Sequence, residues 1–381
     1  MIPCGVRIVL DYRPALRERT GVGEFVHELA RALVTAAPDS PPTLLTTSWK
    51  DRVSPDIRHD LPTARIVDRA IPVQALAWAW NRLEWPPVEW LTGPCDLVHA
   101  QSPLLIPARR AAQVVTIHDL HFLDHPERSE REIRRDFPAL VQAHARRADH
   151  IVVSSTYAAG QVRQRLGVPA DRISICPPGA PPWAADVARA RSESAASGPI
   201  TFVGTVEPRK NMTGLLDAYE RLRARVPGAP PLVIAGGIRN SARPEIERAD
   251  RAPLAGHVSF RGYVTDAERR QLYRDASMVV LPSFEEGFGL PVLEAMASGV
   301  PVVVSNRGSL PEVAGPAARP LDPEAVDAFT AEMERLLDPA AAAHASAQGR
   351  LQASRFTWLS CAQSALRAYR TAVAARAERG A

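Results

Sequence analysis

Residues 283–303 read SFEEGFGLPVLEAMASGVPVV. The stretch begins on the last residue of one apolar run, "MVVLPS", and runs into a second, "PVVVSN". Between them, "EGFGLPVLE" sets Glu286 and Glu294 eight residues apart around Gly287, Phe288, Gly289 and Leu290. Both flanking runs are continuously apolar rather than alternating, which suits parallel strands covered on both faces. The stretch therefore reads as strand, glycine loop, helix over 290–298, strand. Acids placed against apolar surroundings cost free energy unless something pairs with them. Gly287 and Gly289 just ahead of a helix would turn N–H groups toward an anion. Glu294, inside the helix, offers two acceptor oxygens to a diol. Glu286, in the loop, is placed nearer to any bound sugar. A ligand that is part phosphate, part ribose and part sugar would satisfy all of these groups.

The same unit recurs along the chain. "VRIVL", "LVHAQS", "VVTIHD", "HIVVSS", "RISIC", "ITFVG", "LVIAGG" and "HVSFRG" are further short apolar runs. Helical periodicity separates many of them: Phe25, Leu29, Ala32 and Leu33 form one stripe, and Leu215, Leu216, Tyr219 and Leu222 another. Alternating strands and helices predict α/β architecture with doubly wound parallel sheets. Residues 177–198, rich in Pro, Ala and Ser, break the pattern and read as a linker or hinge. The expected division is an amino-terminal domain over 1–180 and a carboxy-terminal domain over 181–360. Ligands of open α/β sheets sit beyond the carboxyl ends of the strands, so two halves facing each other would form a cleft. The candidate motifs all lie at strand ends.

Composition narrows the class. The chain has 381 residues, long for a single core, with 46% hydrophobic and 23% charged residues. A net charge of +4 fits an anionic small ligand or surface and does not by itself indicate nucleic acid. Cys4, Cys95, Cys176 and Cys361 form no C-x-x-C pair, which argues against a metal cage or disulfide framework and for a reducing cytoplasm. No apolar run is long enough to span a bilayer, and the N-terminus "MIPCGVRIVLDYRP" reads as a first strand rather than a signal peptide.

Four other stretches carry chemistry. Gly21 and Gly23 follow the first strand where a helix starts, which permits close approach of an anion. A G-x-G-x-x-G fingerprint fails because Val26 holds the third position, so a nicotinamide dinucleotide fits poorly. "VVTIHDLHFLDHP" ends a strand with His118 and Asp119; His121 and His125 follow, without the spacing of a metal ligand set. "ITFVGTVEPRKN" places Arg209 and Lys210 at a helix start, where two cations suit a diphosphate. "HVSFRGYVTDAERRQLY" offers a strand-end turn at 263–266, with Thr265 or Asp266 as helix cap. The arginine-rich segment 127–150 has helical period and reads as a solvated face or as a surface for anionic lipid. No D-x-D pair exists anywhere in the chain.

Taken together, "EEGFGLPVLEAMASGVPVVVSNRGSLPEV", "VGTVEPRKN", "VVTIHDL" and "ADHIVVSSTYAAGQVRQRLGVPADRISICPPG" resemble glycosyltransferase family 4 over essentially the whole chain. The first of these resembles the family's E-x7-E motif. The "GTVEPRKN" form is most similar to bacterial mannosyltransferase-like members that build polysaccharides. The resemblance implies a GT-B fold and retention of the anomeric configuration. By it, Glu294 would bind the ribose of the nucleotide and Glu286 would contact and orient the donor sugar. Arg209 and Lys210 would hold the departing diphosphate, while Gly21 and Gly23 let the amino-terminal loop approach it. His118 would contact the donor sugar. The turn at Tyr263 and Val264 would hold the base, and the last helix, about 360–381, would cross back to the amino-terminal domain. Many members carry an arginine directly after the strand glycine. This chain has Thr205 there, so Arg209 would supply the second cation.

The resulting expectation is a cytoplasmic, metal-independent hexosyltransferase with no cofactor. GDP-mannose is the expected donor, with UDP-N-acetylglucosamine, UDP-glucose or a dTDP-deoxysugar as alternatives. The acceptor would be a lipid-linked glycan or a secondary-metabolite hydroxyl, with possible peripheral contact to an anionic membrane. A sugar-nucleotide epimerase of the same fold and a non-catalytic sugar-nucleotide-binding protein are the competing readings.

Overall fold

The structure is a computed structural model that describes residues 6–16, 21–124, 137–191 and 197–380. The chain divides into two compact units, Met1–Gly179 with Thr357–Ala381, and Ala180–Phe356. Each is built on a wholly parallel sheet with helices in the crossovers.

The first unit has seven strands in the order β3-β2-β1-β4-β5-β6-β7. They are β1 Ile8–Asp11, β2 Thr43–Thr46, β3 Arg65–Asp68, β4 Leu97–Ala100, β5 Ala112–Ile117, β6 His150–Val153 and β7 Ile173–Ile175. The second unit has six, β8 Ile200–Val203, β9 Leu232–Ala235, β10 Val258–Gly262, β11 Met278–Leu281, β12 Val302–Ser305 and β13 Pro320–Leu321, in the order β10-β9-β8-β11-β12-β13. Every residue of β1, β4, β5, β6, β8, β9, β11 and β12 is buried. That is why these runs are apolar without alternation. Three strands lie outside the runs singled out from sequence. β2 sits among prolines in "SPPTLLTTSW", β3 is an outer strand of polar-apolar character, and β13 has two residues.

The proline- and alanine-rich stretch around 177–198 is not merely a linker. Ala184–Ala190 is a helix, and Trp183, Ala184 and Val187 enter the core of the second unit. Their i, i+1, i+4 spacing puts all three on one face, and that burial overrides the composition signal. The last helix, Trp358–Gly380, packs in the first unit, where Cys361, Ala362, Ala365, Tyr369 and Ala372 join the core around the Val22–Ala36 helix. A Cβ on Gly179 would stand 2.2 Å from the backbone nitrogen of Trp358, so only glycine allows the outgoing and returning chains to touch there. Tyr369 Oη lies 2.7 Å from His99 Nδ1, and His99 Nε2 lies 2.8 Å from Thr116 Oγ1. The polar groups of this buried contact are thereby satisfied. Of the arginine-rich segment, residues up to 136 and His125 lie outside the described residues. Phe137–Arg147 is a helix that buries Val141, His144 and Ala145.

Candidate active site

In the second unit the loops after β8, β11 and β12 meet. A Cβ on Gly236, at the end of β9, would stand 2.1 Å from the carbonyl oxygen of Gly204, at the end of β8. The two strand exits approach this closely because Gly236 lacks a side chain. Beyond Gly204 the chain forms a 3₁₀ turn over Pro208–Lys210, and Asn211, in the left-handed region at φ 53°, caps the Met212–Arg225 helix. Arg209 and Lys210 thus sit in the turn ahead of the helix rather than in it. The Asn211 amide donates to the Pro323 carbonyl at 2.8 Å, which fixes the turn.

Glu286 occupies the loop after β11 and is 5% exposed. Its Oε1 accepts from Lys210 Nζ and from Ser283 Oγ, the latter at 2.7 Å. Its Oε2 accepts from Arg209 Nη1 at 3.2 Å. Arg209 also pairs through Nε with Glu207 at 2.6 Å and donates to the Glu285 carbonyl at 3.1 Å. The loop backbone is pinned from the β12 side, where Ser309 N–H and Oγ donate to the Glu286 carbonyl at 3.1 and 3.0 Å. Gly308, at φ +61°, leaves room for that contact, since a Cβ there would stand 2.5 Å from the Glu286 carbonyl oxygen. Burial pushes the Glu286 carboxyl up, but Lys210 and Arg209 outweigh it and hold the group below the usual carboxylate range. Burial also lowers the Lys210 ammonium, against the opposing pull of Glu286. The cluster is therefore two cations and two acids, Arg209, Lys210, Glu207 and Glu286, held at the ends of β8 and β11.

Glu294 lies within the Leu290–Ala297 helix and is 3% exposed. That helix has Gly289 at its N-cap, at φ +97°, with Gly287 and the buried Phe288 ahead of it. Glu294 does not stand open as a diol acceptor. Arg269 Nη1 donates to its Oε1 at 3.0 Å and Tyr273 Oη to its Oε2 at 2.7 Å. Each oxygen keeps a further lone pair for a ligand hydroxyl. Burial raises the Glu294 carboxyl above its ordinary value, with Arg269 opposing. Tyr273 stacks on Trp183 at 5.8 Å, and the Arg269 guanidinium lies 5.5 Å from the same ring. Arg269, Tyr273 and Trp183 were not apparent from sequence, although Arg269 and Tyr273 are an i, i+4 pair on one helix face. Thr265, not Asp266, caps that helix, in a capping box with Glu268. Tyr263 is exposed and Val264 half-buried in the turn before it.

The first unit brings a second group of predicted residues together. Gly21 caps the Val22–Ala36 helix at φ +50°, and Gly23 is buried inside its first turn. Phe25 of that helix meets the His118 ring edge to face, with centroids 5.2 Å apart. His118 follows β5, and its buried Nε2 has no hydrogen-bond partner among the described residues. Burial pushes its pKa down to about 4, with Asp119 opposing, so the ring is neutral near pH 7. An orphaned buried nitrogen of this kind is the group a ligand hydroxyl would satisfy. Among the described residues, no group of three or more His, Cys, Asp or Glu is placed to hold a metal ion.

Residues 19–182 match the family described as Glycosyltransferase Family 4, and residues 198–339 match Glycosyl transferases group 1. The chain is 34% identical over 286 residues to the O-antigen chain mannosyltransferase B of Escherichia coli, covering 72% of this chain and 74% of that protein. It belongs to glycosyltransferase family 4. Its fold matches sucrose-phosphate synthase from Thermosynechococcus elongatus with a TM-score of 0.74 at 20% identity, over 96% of this chain and 98% of that one. It also matches Anabaena Alr3699/HepE, solved with UDP and glucose, with a TM-score of 0.66 at 15% identity, over 94% and 97%. The GT-B fold and the transferase class are thus those of the family. The Glu286 and Glu294 loop, with its glycines, falls inside the segment matching Glycosyl transferases group 1.

Proposed function

We propose that this family 4 glycosyltransferase moves a hexosyl group from a nucleoside-diphosphate sugar, GDP-mannose first, to a hydroxyl of a glycan, lipid-linked or secondary-metabolite acceptor, with retention and without a metal. The observation that carries the reading is the buried Lys210–Glu286–Arg209 cluster. Transfer breaks the bond between the anomeric carbon and the diphosphate oxygen. Negative charge then grows on the diphosphate and positive charge on the sugar ring. Fixed charges aimed at developing charge are the largest catalytic resource available. In this reading Arg209 and Lys210 stabilise the leaving diphosphate, in place of a divalent ion for which the chain has no D-x-D pair. Glu286, ionised at neutral pH, faces the growing positive charge. The acceptor oxygen forms the new bond to the anomeric carbon, and its proton leaves on the departing diphosphate.

Glu294, steadied by Arg269 and Tyr273, would accept from the ribose hydroxyls, and the turn at Tyr263 and Val264 would hold the base. His118, with its unsatisfied nitrogen, would hydrogen-bond the sugar. The E. coli relative named as a mannosyltransferase supports mannose as the sugar. A panel of nucleoside-diphosphate sugars tests this. The productive donor at a hundredfold excess over its Kd should stabilise the chain by about 2.7 kcal/mol and release free nucleoside diphosphate with a transferable acceptor. Binding without release would point instead to a non-catalytic protein, and conversion of the donor sugar without release to an epimerase.

A further inference from the structure

Glu294 is held by two side chains that each have another partner within reach. The Arg269 guanidinium donates to Glu294 Oε1 at 3.0 Å and to the exposed Asp266, one turn earlier on its own helix, also at 3.0 Å. The Tyr273 hydroxyl has one hydrogen to give, and it lies 2.7 Å from Glu294 Oε2 and 3.4 Å from the Pro291 carbonyl. A long arginine side chain fixed in one geometry gives up rotamer freedom. Its aim at Glu294 is weak unless something else fixes the guanidinium.

Trp183 supplies that support. Its ring stacks on Tyr273 with centroids 5.8 Å and planes 24° apart, and the guanidinium carbons of Arg269 and Arg270 lie 5.5 and 5.7 Å from its centroid. Trp183 stands just ahead of the Ala184–Ala190 helix, whose Ala184 and Val187 are buried in the core. Arg191, just past the end of that helix, donates to the carbonyls of Tyr273 and Arg274 at 2.6 and 3.1 Å. The short helix thus grips the Asp266–Asp275 helix at two points, by the indole at its start and by the arginine at its end.

Filling the core does not account for an indole at this place. Trp183 is 8% exposed, and its buried N–H has no hydrogen-bond partner among the described residues. A stranded donor costs free energy that an aliphatic side chain avoids. What the indole adds is a broad face, the best of the aromatic faces for a cation. We infer that Trp183 is a positioning residue for donor binding: through Arg269 and Tyr273 it holds the Glu294 carboxylate in the orientation that receives the ribose hydroxyls. The inference rests on the reading of Glu294 as the ribose-binding acid. It gives the segment ahead of β8 a part in nucleotide affinity, although no atom of Trp183 touches the nucleotide.

The test is calorimetric titration of the full chain with GDP and with 2′,3′-dideoxy-GDP, the corresponding uridine pair being run alongside. The wild type should bind the ribonucleotide tighter than its dideoxy counterpart by about tenfold or more. Trp183→Leu should bind the dideoxy form as the wild type does and shrink the preference to about threefold or less. Trp183→Phe, which keeps a weaker face in the same place, should fall between the two, and it serves alone if the leucine variant does not fold. Circular dichroism and melting establish which variants are folded. A full preference retained by the folded variants overturns the inference. So does an equal loss for the ribo and dideoxy forms, which is what a merely structural role produces. Equal affinity of the wild type for both members of each pair, or binding of none, refutes instead the ribose reading of Glu294 and takes the inference with it.

Discussion

Lys210 Nζ donates to Glu286 Oε1 across 76 residues of sequence, and both side chains are almost fully buried. Removing one partner of such a pair strands the other charge, whereas removing both replaces a costly arrangement with a neutral one. Lys210→Ala leaves Glu286 with the partly exposed Arg209 as its counter-charge and should destabilise the second unit by up to roughly 3–5 kcal/mol. Lys210→Met combined with Glu286→Gln should recover most of that loss while remaining inactive. Urea unfolding of the wild type, each single variant and the double variant checks this, and a loss in the double variant equal to the sum of the single losses would show that the two groups act independently.

The two glutamates should separate kinetically. Glu286→Gln keeps the shape and removes the charge proposed to face the reacting sugar, so kcat should fall by roughly 10²-fold or more with donor binding little changed. Glu294→Gln would lose the proposed ribose contact, one made equally in ground and transition states, and should mainly raise the donor KM. Tyr273→Phe, which frees one Glu294 oxygen, should move KM in the same direction by a smaller factor. Steady-state kinetics on all three decide it; a Glu294 variant dead at saturating donor reverses the assignment.

Gly308→Ala tests the loop rather than the charge. Its φ is +61° and the new methyl would meet the Glu286 backbone at 2.5–2.6 Å. The carboxylate should be displaced, and a misplacement of about 1 Å costs up to about 10²-fold in rate. Nucleoside diphosphate release should drop sharply while the far-ultraviolet spectrum stays native. Wild-type turnover would mean that Ser309 does not position Glu286.

On the proposed reading, donor turnover should persist in excess chelator, because Arg209 and Lys210 would neutralise the diphosphate in place of a metal. The measurement is initial rate with chelator and then with added magnesium or manganese. Activity that vanishes and returns only with the metal contradicts the assignment.

Acid should unfold the first unit through its histidines. Burial lowers the pKa of His99 to about 3 and of His118 and His150 to about 4, from an ordinary 6.5. Between those values the unfolded chain binds more protons than the folded one. Stability is thus fully present above pH 6.5 and is lost as the pH falls toward 4, by up to about 1.4 kcal/mol per unit for each histidine. Melting temperatures across that window should fall steeply, and a flat profile would show that the rings are hydrated in solution.

Much of this molecule is written locally. The unbroken apolar runs at β5, β8, β11 and β12 identify buried parallel strands, because a strand covered on both faces has no polar alternation to show. Glycines and cations stand at their exits, and "EGFGLPVLE" places an acid in a loop and another in a helix through local periodicity alone. What the chain order cannot express is partnership. That Lys210 and Arg209 neutralise Glu286, that Arg269 and Tyr273 hold both oxygens of Glu294, and that Ser309 fixes the Glu286 carbonyl all depend on loops from different strands converging. Trp183 and Val187 look like linker residues until a core closes over them, and His99 becomes a buried, neutral link only when Tyr369 returns from the far end of the chain. Burial and cross-strand pairing set these charges and orientations, and both are properties of the folded neighbourhood rather than of any segment.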